Sequence, residues 1–170
     1  MLSRMFSVVT TSTFLTFTCL ATAHADSRLL ATSGVTQLEG SAGGGLVPWA
    51  LISGYGDEGE WSLGAFHTST DVDSFRLKVN GANVSYDNRV EFSAVLQSFE
   101  IKGAAGDIRQ EVYGAKVRLM GDAIYTPVPQ ISAGLQYKRL LDSTIADAVG
   151  AEGSDQGVDV YLSATKVHLG

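Results

Sequence analysis

The stretch EVYGAKVRLMG, Glu111 to Gly121, repeats with a period of two. Tyr113, Ala115, Val117 and Leu119 fall on one parity; Gly114, Lys116 and Arg118 fall on the other. Residues two apart share a face only in an extended chain, because a helix repeats every 3.6 residues. The same period returns in QISAGLQYK, where Ile131, Ala133, Leu135 and Tyr137 oppose Gln130, Ser132, Gly134, Gln136 and Lys138. It returns in VEFSAVLQ, with Val90, Phe92, Ala94 and Leu96 against Glu91, Ser93 and Gln97, Val95 being the exception. FRLKVN and WSLGAF repeat it once more. No segment carries a helical period of comparable regularity, so the chain reads as all-β.

Turn signals separate these segments: Gly56-Asp57-Glu58-Gly59, Asp87-Asn88, Gly103-Ala104-Ala105-Gly106 and Pro127-Val128-Pro129, with a longer polar stretch from Asp142 to Gly157. The spacing predicts eight strands, over residues 34–39, 46–55, 60–69, 75–86, 89–99, 108–120, 130–138 and 157–168. Most exceed the five or six residues usual in soluble sheets, and several reach the roughly 9–11 that a tilted strand needs to cross a bilayer. At Gly81 the apolar parity switches, from Phe75, Leu77 and Val79 to Ala82, Val84 and Tyr86. One extra residue in a β-bulge would cause that switch.

The first 25 residues read as a secretory signal peptide. Arg4 is the basic start, residues 6–20 carry no charge, and Ala23-His24-Ala25 offers small residues ahead of cleavage. Residues 26–170 are then one domain. The single cysteine, Cys19, leaves with the signal, so no disulfide holds that domain. Loss of Arg4 moves the formal charge from −6 to −7. An acidic surface argues against nucleic acid as partner.

Alternation admits two architectures. A soluble periplasmic sandwich turns its apolar faces inward; an outer-membrane barrel turns them to lipid and its polar faces to a lumen. Three features favour the barrel. Trp61, Tyr113 and Tyr137 are aromatics placed as an interfacial girdle would have them. Glycines sit between the charges of the polar parity, leaving room in a narrow interior. Short and long connections alternate. The expectation is an antiparallel transmembrane β-barrel of about eight strands, or the N-terminal part of a larger one, exported to the outer membrane with lipid as its partner.

Arg76, Lys78, Glu91, Lys116, Arg118 and Lys138 share the polar parity of their strands and are the candidate lumen-facing charges. In a wide pore they would favour a small anionic solute. In an eight-stranded barrel, whose interior side chains can fill, they would pair with carboxylates and plug it.

No catalytic, cofactor or metal site emerges. Gly40 and Gly45 have the spacing of a phosphate-binding loop, but Leu46 and Val47 stand where it needs Lys and Ser or Thr. The glycines read as bends and close backbone approaches. A lipid-hydrolysing barrel enzyme would use His67 or His168, with Ser69, Asp71 and Asp73 as neighbours of the former, but no nucleophile-elbow motif accompanies them. Asp57, Glu58 and Glu60 lack the spacing of a calcium loop.

The blocks GVTQLEGSAGGGLVPWALISGYG, VYGAKVRLMGDAIY, PQISAGLQYK and DVYLSATK occur in this order and resemble the N-terminal half of a proteobacterial family, domain of unknown function 3034. The resemblance runs from about Asp26 to the end. It implies a secreted, outer-membrane-like β-barrel of no assigned activity and supplies no site residues.

Overall fold

The computed structural model describes residues 35–103, 107–141 and 153–168. The expected signal peptide, residues 1–25, and most of the polar stretch 142–157 lie outside the described residues. Six strands form one sheet: β1 Trp61–Asp71, β2 Phe75–Tyr86, β3 Val90–Ile101, β4 Asp107–Met120, β5 Gln130–Leu140 and β6 Gln156–Thr165. They run in sequence order, each antiparallel to the last, with β1 and β6 at open edges. Ends shift by up to three residues from the expected bounds, the largest at the end of β6, which stops at Thr165 rather than 168.

Two expected strands are absent. Among the described residues of the stretches expected at 34–39 and 46–55, none joins the sheet; residues 35–55 hold only the isolated bridges Thr36↔Ala42 and Gly43↔Pro48. Their apolar residues mimic a strand, but Gly40, Gly45 and Gly54 take positive φ and fold the chain back on itself. At Gly40 the bend is also a close approach: a Cβ there would meet Val95 and Ser93 of β3. The expected eight-stranded closed barrel is therefore, among the described residues, a six-stranded open sheet carrying an irregular segment on one face.

The bulge expected at Gly81 is absent too. β1, β2 and β3 stay in register through it, with Phe66↔Gly81 and Gly81↔Val95 as partners. The parity switch has another cause: the sheet changes character along its strands. At one end the inner face is polar and the outer face apolar. At the other, Val79, Val95 and Val112 are buried on the inner face against Leu38, Phe66 and Leu77, and Phe75 stacks on Phe99 at 5.4 Å. There the outer face carries Asp71, Arg76 and Glu100, joined by ion pairs. Val95, the exception in its strand, belongs to this inner apolar cluster. A register shift lies elsewhere, between Arg118 and Met120.

Local chemistry sets the connections. Asp87 and Asn88 both take positive φ (59° and 46°), and the Arg89 amide donates to the Tyr86 carbonyl at 3.0 Å. This is the two-residue hairpin turn whose twist suits antiparallel strands, and Asp and Asn tolerate its backbone. At Gly121 φ is +76°, and a Cβ would collide with the Pro129 carbonyl.

Candidate functional site: the covered polar face

Antiparallel pairing aligns the outer-facing residues in rows. One row is Trp61, Tyr86, Val90, Val117, Ala133 and Leu162; the next is Leu63, Val84, Phe92, Ala115, Leu135 and Val160; the third is Ala65, Ala82, Ala94, Tyr113, Tyr137 and Val158. All are apolar or aromatic, and many are bare: Leu63 is 83% exposed, Val160 80% and Leu162 72%. The row beyond is His67, Asn80, Leu96, Glu111, Arg139 and Gln156, where charge begins. Trp61 and Tyr86 pack ring to ring at 4.8 Å on one border of this belt, and Tyr113 and Tyr137 are cross-strand partners on the other.

The inner side of the same rows is polar and buried. Asn83, Ser85, Glu91, Ser93, Lys116, Gln130, Ser132 and Gln136 are all buried, and residues 36–56 lie against Ser85, Glu91, Ser93, Lys116, Gln130 and Ser132. Cover and wall meet mostly through side chains of the wall and main chain of the cover, with the Ser41 and Glu39 side chains of the cover joining in. Glu91 accepts from the Ser41 hydroxyl (3.0 Å) and the Ala42 amide (3.1 Å) through Oε1, and from the Ser53 amide (2.6 Å) through Oε2. Lys116 Nζ lies 3.2 Å from Glu91 Oε1 and donates to Ser41 Oγ and to the Ala42 and Trp49 carbonyls. Gln130 and Ser132 donate to the Ala50 carbonyl, Ser85 to that of Ser53 and Gln97 to that of Leu38. Thr165 accepts from the Ala50 amide, and Tyr161 shares a 3.0 Å hydrogen bond with Ser41.

The candidate charges divide. Glu91 and Lys116 form the central buried pair. Lys138 joins Glu39 of the cover and lies 2.9 Å from Asp159. Arg118, also on the inner parity, caps the end of β4 by donating to the Gly121 carbonyl and lies 3.3 Å from Asp122. Arg76 and Lys78 are on the outer face: Arg76 pairs with Asp71 at 2.8 Å and Glu100 at 3.1 Å, and Lys78 lies opposite Ser69. Their displacement follows from the in-register Gly81, which leaves the parity of β2 unbroken. His67 shares a 2.8 Å hydrogen bond with Asn80 on the exposed face, and Asp71 is engaged by Arg76 and Lys102. The structure therefore does not assemble His67, Ser69 and Asp71 into a relay.

Sequence reading missed the receivers of the cover, Ser85, Gln97, Gln130, Ser132, Tyr161 and Thr165. Their signal was present as the polar parity of each strand. What was missing was the knowledge that main chain, rather than water, would lie against it.

Outside the strands, Asp122 organises the β4–β5 connection. Burial pushes its carboxyl up, but the amides of Tyr125 and Ile124 donate to it, and with the charges of Arg118 and Lys166 they hold it below the ordinary carboxylate value.

These features define a class: an all-β antiparallel meander with one polar face covered by its own chain and one apolar face left bare. The chain belongs to the family described as protein of unknown function (DUF3034), which matches residues 32–170. Comparisons with curated proteins and with solved structures find no match.

Proposed function

We propose that this protein is an exported outer-membrane β-barrel component: the sheet is barrel wall, its apolar belt meets lipid, and residues 36–56 fill the interior. Its role is structural or in minor transport. The carrying observation is the inverted polarity of the three outer rows. Fully burying a Val, Leu or Phe side chain contributes about 1.5–3 kcal/mol, so a belt of such residues left in water forgoes tens of kcal/mol. Soluble monomers rarely expose contiguous apolar patches beyond a few hundred Å². Lipid removes the penalty, and the aromatics bordering the belt suit the two interfaces.

Dimensions set conditions on this reading. From Val90 to Leu96, or Tyr113 to Leu119, six residue steps give a belt of about 20 Å at roughly 3.3 Å per residue. The apolar band of such barrels is about 25 Å tall, so the strands stand steeply or the bilayer thins around them. Hydrocarbon also tolerates no open sheet edge. In the membrane β1 and β6 are therefore paired, with each other or with further strands.

The test is fluorescence of Trp61 in a Trp49→Phe background, in vesicles containing brominated lipid, alongside cell fractionation and heat-modifiable gel migration. Strong quenching and recovery with outer membranes are expected. A chain released by osmotic shock, with Trp61 unquenched, would point to a soluble periplasmic lipid-binding module and refute the wall.

A further inference from the structure

We propose that residues 36–56 are a releasable gate over a water-compatible passage for small polar solutes, and that the Glu91–Lys116 pair is its latch. The proposal rests on the wall reading above and concerns whether the cover leaves.

The nature of the contact separates a gate from permanent filler. Among the described residues, no main-chain hydrogen bond joins residues 36–56 to a strand of the sheet. The segment's main-chain bonds stay within residues 35–56, as in Gln37 N to Ser41 O and Trp49 N to Ala42 O, both 2.9 Å. The wall holds it through hydroxyls, amides, one carboxylate and two ammonium groups. Each of these groups can exchange its partner for water as the segment moves away. A face that stayed dry would be cheaper to build from apolar residues, since buried polar groups carry a desolvation cost.

Two further observations agree. The docked arrangement leaves Gln37 Nε2 and Ser53 Oγ of the cover and Gln136 Nε2 of the wall buried without a hydrogen-bond partner, and undocking would hydrate them. Apolar anchoring gathers at two places, Leu38 on the Val79–Val95–Val112 cluster and Trp49 beside Ala42, Leu51 and Ala123, with Ala50 and Ile52 buried besides. Between them the segment is held at its centre by the one charge pair that is fully buried among the described residues, whose two members both touch Ser41 and Ala42. Losing that pair is the perturbation that should free it.

The experiment compares the full chain with its E91Q/K116M variant, which keeps side-chain volume and removes both charges. Each is reconstituted into planar bilayers in potassium chloride for conductance. Each is also prepared with Ala50→Cys, at a fully buried cover position, for labelling by a water-soluble thiol reagent. The wild type should be mostly closed and slow to label. The double variant should raise time-averaged conductance by roughly tenfold or more, the factor expected on losing a contact between charged groups, and label faster in proportion. A double variant that inserts and shows heat-modifiable migration, yet conducts and labels like wild type, overturns the gate and leaves permanent filler. So does a wild type that conducts freely while position 50 stays protected, because the passage then lies elsewhere. Failure of the wall reading looks different: neither protein enters membranes and Trp61 is unquenched.

Discussion

Replacing Lys116 with Met should be among the most damaging single changes in this protein. The Lys116 and Glu91 side chains are 1% and 2% exposed, so neither charge has water in reserve. Met removes the ammonium 3.2 Å from Glu91 Oε1 and, with it, the donors to the Ala42 and Trp49 carbonyls. Breaking a buried pair from one side costs about 3–5 kcal/mol, because a charge is left behind. Glu91 keeps three donors, the Ser41 hydroxyl and the Ala42 and Ser53 amides, which places the expectation near the lower figure, about 3 kcal/mol. Against a total of roughly 5–15 kcal/mol that is a large fraction. E91Q/K116M, which strands no charge but still loses the charged contacts to the cover, should fall between Lys116→Met and wild type, about 1.5 kcal/mol below wild type, the margin that a tenfold rise in opening requires. Urea unfolding in detergent micelles, followed by tryptophan fluorescence, measures all four corners of the cycle. A Lys116→Met protein within about 0.5 kcal/mol of wild type, the range of an ordinary surface change, would show that the pair is not desolvated and refute the reasoning.

Three further expectations test other parts of the structure. Gly121→Ala should destabilise by about 1–3 kcal/mol in the same unfolding assay, as its backbone is left-handed and its Cβ would strike the Pro129 carbonyl; a neutral result would mean that the β4–β5 connection is not held as described. Val160→Lys, in the middle apolar row, should cost about 2–4 kcal/mol in lipid, whereas Lys78→Gln, beyond the belt, should stay within about 0.5 kcal/mol; equal effects on refolding into vesicles would remove the lipid-facing assignment. Asp122 has a depressed carboxyl in the folded state, so its contribution is present above about pH 4, the unfolded value, and is lost as pH falls through the lower folded value. Asp122→Asn should accordingly flatten the acid limb of stability against pH while changing little below it.

How far the fold was legible shows best at two places. β4 and β5 were readable in detail, because each alternates cleanly and faces two sequence neighbours it pairs with, so local pattern and tertiary environment agree. Residues 34–39 and 46–55 were misread as strands because apolar residues beside turn signals look alike whether they enter a sheet or fold over one. The positive φ at Gly40, Gly45 and Gly54 decides the matter, and glycine in a sequence permits that conformation without requiring it. Arg76 and Lys78 were misplaced for a related reason. A parity switch has two physical causes, an inserted residue or a change of surroundings along the strand, and only the continuous register through Gly81 separates them. The charges Glu91 and Lys116 were legible as a face, but their pairing was not.

The amino-acid order alone determined the two-residue period, the hairpin at Asp87-Asn88 and the segregation of polar from apolar side chains, because these depend on neighbours within a few bonds. Which face would be covered, and by what, was decided only when the chain folded back. Burial is a relation between distant segments: Glu91 becomes an enclosed carboxylate because Ser41, Ala42 and Ser53 come to rest against it, 38 to 50 positions away.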